Sequence, residues 1–266
     1  RPSVADLLGL PEWIPRPAVS RARKIFRDSD RVILRLIAER RRAGGPDDLL
    51  AMLLAAPEGE AAASAREVRD QVATIFTAGH ETTANALAWT FYLLSQHPAE
   101  RARLEDELDH VVGDRPVTAD AVPDLVFTRR VIEESMRLYP PAHTVSRQAL
   151  APDRLGPIAL HKGSSVLIVP WLLHRHRKLW DRPDEFHPDR FTPEAVAARP
   201  RFAYIPFGAG PHICIGAAFA MTEAILCLAT IARRFRLTLA PGARVEPLGQ
   251  ITLRPRYGLA MRVEKR

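Results

Sequence analysis

The sequence from Ser64 to Gln96 carries one unbroken helical pattern, and nothing else in the chain constrains the fold as strongly. Ser64 and Glu67 have the S-x-x-E spacing of a capping box, in which side chain and backbone of two residues satisfy each other at a helix start. The pattern then continues from Val68 to Leu94 and ends before Pro98, because the residue preceding a proline is pushed out of helical geometry. At 1.5 Å per residue such a rod is about 50 Å long, the width of a whole domain. It is apolar on more than one side around Ile75–Phe76 and Ala86–Leu94, which predicts a helix running through a core rather than over one.

The elements around it follow from simpler signals. A helix is predicted from "PAVSRARKIF" to Gly44-Gly45, with apolar residues at Ile25, Val32, Leu36 and Ile37 and a glycine stop. A short one lies in "PDDLLAMLLAAP", closed by Pro57. "PAERARLEDELDHVVG" and "PDLVFTRRVIEESMRLYPP" follow, the second stopped by Pro140 and Pro141. The texture then changes. "TVSRQAL", "PIALH" and "SSVLIVPWLL" are short, β-branched and broken by Gly and Pro, as are "RLTLAP", "ITLRP" and "GLAMRVEK" at the end. Between them lie the loop "HRHRKLWDRPDEFHPDRFTPE" and one apolar helix, "IGAAFAMTEAILCLATIARRF". The fold class is mainly α with a minor β-sheet.

The charge balance, 38 basic against 31 acidic residues, is spread through mixed-sign stretches such as "RARLEDELDH". The densest basic run, Arg40 to Arg42, falls at a helix end, where cations suit the helix dipole. Few aromatics accompany it, which argues against nucleic-acid binding. No apolar run reaches the length of a membrane span. Two cysteines cannot make a disulfide framework, and Cys227 sits in an apolar helix pattern as a small buried residue.

The other cysteine, Cys214, is different. It lies in "PFGAGPHICIG", among three glycines, two prolines and a histidine. A thiolate needs its charge stabilised, and here it would stand where a loop meets a helix N-terminus. Gly208, Gly210 and Gly216 allow tight turns and the close approach of a flat cofactor. A surface turn with a free thiol is the plain alternative. Zinc is a poorer one, since it wants four ligands and only His212 is close in sequence; His174 and His176 could offer two more from a strand.

Two further stretches stand out. "AGHETT", Ala78 to Thr83, puts a glycine, a charge and two threonines at the centre of the long helix, a costly choice there. Threonine hydroxyls can bond back to helix carbonyls and loosen them into a local bulge; a satisfied polar stripe is the alternative. Glu134-x-x-Arg137 lies on one helix face. Glu39/Arg42 and Glu100/Arg103 share that spacing and read as exposed pairs worth little.

Taken together these stretches resemble the cytochrome P450 family. Phe207, Gly208, Gly210, His212, Cys214 and Gly216 fill all six fixed positions of its signature, Phe-Gly-x-Gly-x-(Arg or His)-x-Cys-x-Gly. "AGHETT" is similar to the family's oxygen-binding groove, and "EESMRLYPP" followed by "FHPDRF" to its E-x-x-R and P-x-R-F segments. The resemblance implies haem b (iron protoporphyrin IX) with Cys214 as the iron ligand. Pro206, Phe207, Gly208, Gly210, Gly216 and Ala220 would then surround the cofactor, and His212 and Arg147 would meet its carboxylates. Ala78 and Gly79 would leave room for oxygen, and Glu81 and Thr82 would manage proton delivery. Glu134, Arg137 and Arg190 would form one buried network.

The implied activity is insertion of one oxygen atom from O2 into an organic, lipophilic substrate. Thr77, Ala78, Ala142, Thr144, Val145 and Ile251 would lie near it. Electrons would come from a separate ferredoxin- or flavodoxin-like donor, in a cytoplasmic protein of the soluble bacterial type. A peroxide-using or hydroperoxide-rearranging thiolate-haem enzyme is the chemical rival, and a non-catalytic fragment is another. The resemblance covers only the C-terminal part of a family member, so residues 1–266 are expected to be a single partial domain. Alone, they are expected to bind haem weakly, with the active protein extending before Arg1.

Overall fold

The computed structural model describes residues 17–55 and 64–266. They divide into two compact units, 1–78 and 79–266, the division falling inside the long helix.

In the first unit, α1 (Pro17–Ala43) ends in Arg40, Arg41 and Arg42. Arg40 reaches past the Gly44-Gly45 turn to Asp48, its Nη1 and Nη2 donating to the two carboxylate oxygens at 2.7 and 2.9 Å. Asp48 in turn caps α2 (Leu49–Leu54), accepting from the Ala51 N–H at 3.0 Å. The Arg40 guanidinium, helped by that capping bond, holds the Asp48 carboxyl at about 2. Pro57, expected to close α2, lies outside the described residues. Of the four apolar residues noted on α1, Ile37 is buried, and Ile25, Val32 and Leu36 are exposed.

Helix α3 runs over Ala65–Gln96. Its capping box is formed: Glu67 Oε2 accepts from the Ser64 N–H at 2.7 Å, and Ser64 Oγ from the Glu67 N–H at 3.2 Å. The expected all-round burial holds for one part only. Phe76 is 70% exposed, whereas Ala86, Trp89, Thr90, Phe91, Leu93 and Leu94 are buried. The helix is regular through "AGHETT", with no bulge at the threonines.

In the second unit the end of α3 shares one core with α4 (Pro98–Val111), α5 (Val126–Leu138) and α8 (Ala217–Ala232). Helix α5 shows why: Thr128, Val131, Ile132, Ser135 and Met136, spaced i, i+3, i+4, i+7, i+8, are all buried. Its own Leu125 cannot cap it, so Glu107 of α4 does, accepting from the N–H groups of Phe127 and Thr128 at 2.5 and 2.8 Å.

The strands make four separate two-stranded antiparallel ladders rather than one small sheet. β1 (Val145–Gln148) pairs with β4 (Ser165–Ile168), and β2 (Asp153–Leu155) with β3 (Ile158–Leu160). β5 (Phe235–Leu239) pairs with β8 (Met261–Lys265), and β6 (Pro247–Gly249) with β7 (Leu253–Pro255). The second half of "SSVLIVPWLL" is a helical turn, α6 (Pro170–Leu173), since Pro170 can open a helix but cannot sit inside a ladder. The loop after it contains a 3-10 turn, Pro188–Phe191, and α7 (Pro193–Ala197). No helix among the described residues is long and apolar enough to cross a membrane.

Candidate functional site

The loop before α8 is fixed by its own backbone. Gly208 and Gly210 take φ of +76° and +75°, values that side chains with a Cβ rarely adopt. A 3-10 turn spans Gly210–His212. The Cys214 N–H then donates back to the Phe207 carbonyl at 2.9 Å, closing the loop. Helix α8 begins at Ala217 with Gly216 as its cap, so Cys214 stands in the turn ahead of the helix and not at its first residue. The thiol is exposed. So are Ile213, Phe219 and, at 94%, Ile215. His212 is exposed on the same loop, while Phe207, Pro206 and Ala220 are half-buried. A Cβ on Gly216 would lie in ordinary contact with the Cys214 sulfur, at 3.8 Å. Cys227, expected to be buried, is only partly so; burial pushes its thiol pKa up.

His174 supports this loop from behind. It is fully buried, and its Nε2 accepts from the Ile205 N–H at 2.9 Å, immediately before Pro206. Burial, and then the charge of Arg137, push its pKa down to about 4. That ring nitrogen is committed to a backbone amide and is not open to a metal. Among the described residues no group of three or more His, Cys, Asp or Glu side chains could hold a metal ion.

The His174 carbonyl faces the other way and joins the acidic-basic network. Arg137 and Glu134 are both completely buried on α5. Arg137 Nε and Nη2 donate to the two Glu134 oxygens at 2.7 and 2.8 Å. Its remaining N–H groups donate to the carbonyls of His174, Pro183 and Glu185 at 2.8, 2.6 and 3.0 Å. Glu134 Oε1 also accepts from the His187 N–H at 2.9 Å and lies 3.4 Å from Arg190 Nε. Arg190 Nη2 donates to the Arg182 carbonyl at 2.8 Å. One ion pair thus ties α5 to the whole segment that precedes the cysteine loop.

The Glu100/Arg103 pair, read from sequence as idle, does more than that. Arg103 donates to Glu100 at 2.9 Å but also forks Asp189 of the 3-10 turn at 3.0 and 2.9 Å, with its guanidinium 4.2 Å from the Phe127 ring centroid.

On α3, Glu81 is exposed and accepts from the Thr252 hydroxyl at 2.5 Å. Asn85 Nδ2 donates to the same hydroxyl at 3.1 Å. Thr82 is half-buried and Thr83 buried. Arg147 lies exposed on β1, its Nη1 donating to the Ser146 carbonyl at 2.9 Å. Ala78 falls in the first unit and Glu81, Thr82 and Cys214 in the second. Sequence reasoning missed Thr252 and Asn85 altogether and took His174 for a loop residue. Nothing local marks Thr252, which is 171 positions from its partner.

The donor set suits haem: an exposed soft sulfur for iron, exposed apolar neighbours, backbone turned by glycine, and the His212 imidazole on the same loop.

The family described as cytochrome P450 matches residues 2–258. Similar curated proteins include cyclooctatin synthase of Streptomyces melanosporofaciens, 40% identical over 93% of this chain and 55% of its own length. Pentalenene oxygenase of Streptomyces avermitilis is 38% identical over 95% of this chain and 57% of its own. The crystal structure of a mutant cytochrome P450DA heme domain superposes with a TM-score of 0.88 at 33% identity, over 98% of this chain and 58% of that one. The chain belongs to the cytochrome P450 family, and it spans about half the length of the curated relatives it matches.

Proposed function

We propose that the protein containing this chain is a haem-thiolate monooxygenase, with residues 1–266 its C-terminal haem-binding part. The observation that carries this reading is the exposed Cys214 thiol on a loop closed by the Cys214 N–H to Phe207 carbonyl bond. Bound haem b would supply the iron chemistry by which one atom of O2 enters an organic substrate, with the thiolate donating electron density to the metal.

The chain's own residues bind, orient and shield. Cys214 Sγ would hold the iron. Gly208 and Gly210 would let the backbone approach the cofactor, and Pro206, Phe207, Gly216, Ala220 and Phe219 would line it and keep water from the sulfur. His212 and Arg147 orient the carboxylates, the guanidinium being suited to a two-point contact. Ala78 keeps the helix face small. Glu81 takes a proton from solvent at a carboxylate oxygen, and the Thr82 hydroxyl passes it on. In net terms one O2, two electrons and two protons convert the substrate to its hydroxylated product and water. When that directed relay fails, O2, two electrons and two protons drawn from solvent leave instead as hydrogen peroxide.

Electrons come from a reduced ferredoxin- or flavodoxin-like protein in the cytoplasm, whose acidic surface would suit this chain's charge of +7. Relatives named for pentalenene and cyclooctat-9-en-7-ol, with the exposed apolar Ile251, the half-buried Val145 and the small Ala142 and Thr144, support an apolar substrate. The test is NAD(P)H consumption with a reconstituted donor protein and such a hydrocarbon. Product formation that requires the donor supports a monooxygenase; equal product from peroxide alone would contradict it.

A further inference from the structure

Thr252 follows the exposed tip of the β6–β7 hairpin, next to Ile251, and is itself buried. Its hydroxyl oxygen meets two side chains of α3, Glu81 and Asn85, spaced i and i+4 on one face. The chemistry orients the hydroxyl. An amide nitrogen can only donate, so Asn85 Nδ2 occupies a lone pair of the Thr252 oxygen, and the single hydroxyl proton goes to Glu81 Oε1. The hydrogen bond to the carboxylate is therefore directional.

The hairpin does not need this contact to stay in place. Trp89 Nε1 donates to the Leu253 carbonyl at 3.1 Å, and the Leu253 N–H donates to the Pro141 carbonyl at 3.0 Å. His143 Nε2 lies 3.0 Å from the Gln250 carbonyl. With three backbone anchors in all, two at Leu253 and one at Gln250, the hairpin is held without the Thr252 hydroxyl, which is left to the Glu81 carboxylate. An exposed glutamate has several rotamers, and only a partner fixes one of them.

We infer that Thr252, with its hydroxyl set by Asn85, is a positioning residue that holds the Glu81 carboxylate in the rotamer from which it hands on protons. The inference rests on the proton-carrying role proposed for Glu81 above. Thr252 touches neither reacting atoms nor substrate in this account; it acts through Glu81.

The experiment compares Thr252→Val, which keeps the shape and removes the hydroxyl, with Thr252→Ser, which restores it, in the haem-loaded protein. A hydrogen bond to a charged group shifts such a rotamer equilibrium about tenfold. Product formed per NAD(P)H is expected to fall about tenfold in T252V, the balance appearing as hydrogen peroxide, and to recover in T252S. The second reading needs no turnover. With 13C-labelled glutamate, the infrared difference between wild type and T252V is expected to show a shifted carboxylate stretch. That shift is expected to vanish on an E81Q background and to reverse in T252S. Equal thermal midpoints for T252V and T252S keep a folding defect out of the comparison. If the wild type lacks the thiolate-shifted Soret band of its reduced CO complex, the proposed function falls and this inference with it. If the band is present but T252V keeps wild-type coupling, or no Glu81 carboxylate shift appears, the inference alone is overturned.

Discussion

His174 joins two sites built in opposite ways. On its carbonyl side is the Glu134–Arg137 network, fully buried, with both carboxylate oxygens and all three guanidinium nitrogens engaged inside the chain. On its ring side is the Cys214 loop, where the backbone is fixed but the sulfur and its apolar neighbours stay open. The first is finished by folding. The second is shaped by folding and, on the function proposed, finished only by a ligand. A buried charge is tolerable when every polar atom is met, whereas a thiol that is to bind a metal has to be left exposed and otherwise unused.

The comparison predicts very different costs for substitutions on its two sides. The largest is Arg137→Ala, which strands the Glu134 carboxylate in the core and is expected to cost about 3–5 kcal/mol. Urea unfolding should show it as a midpoint far below wild type, or as little folded protein. A cost near that of a surface change would mean that the network does not hold the loop's supporting segment together.

Next comes acid. His174 is held neutral at about 4 against an ordinary value of 6.5. A group whose folded pKa is lowered in this way takes up its proton more readily when unfolded. Stability should therefore be unaffected by it above about pH 6.5 and fall as pH drops toward 4, by roughly 3 kcal/mol in all. His174→Gln, read by urea midpoints across that range, should flatten this part of the profile. An unchanged profile would show that the ring is not the buried neutral link between the two sites.

Arg103→Ala is expected to be milder, about 1 kcal/mol or less, because its fork to Asp189 is half exposed to solvent. Asp189 and Arg190 are adjacent, so the two E-x-x-R pairs grip the same 3-10 turn, one from the surface and one from the core. Equal losses for Arg103→Ala and Arg137→Ala would erase the distinction between them.

What could be read from the sequence follows the same divide between local and distant. The capping box at Ser64, the glycine stop of α1, the proline stop of α5 and the six residues of the cysteine loop each carry their meaning within a few positions. The burial of Glu134 and Arg137 was legible only through the motif context that separated them from the Glu100/Arg103 pair. Where long-range partners decide, the sequence was silent or misleading. Phe76 and Leu36 fit apolar periodicities yet are exposed, since periodicity marks a face but not what covers it. The strands' alternation could not show that they pair as four ribbons. Asp189 and Thr252 find partners 86 and 171 positions away, beyond any local pattern, and Pro170 turned an expected strand into the start of α6.

The smallest expected effect on stability is at Cys214, where the expected effect on haem binding is largest. Cys214→Ala removes an exposed side chain and should leave the unfolding midpoint within about 0.5 kcal/mol of wild type. The decisive measurement is the absorption spectrum of the reduced, CO-bound protein for wild type, Cys214→Ala and Cys227→Ala. The thiolate-shifted Soret band is expected in wild type and Cys227→Ala and absent from a folded Cys214→Ala. A band that survives in Cys214→Ala, or disappears with Cys227→Ala, would contradict the assignment of the open loop as the haem-iron site.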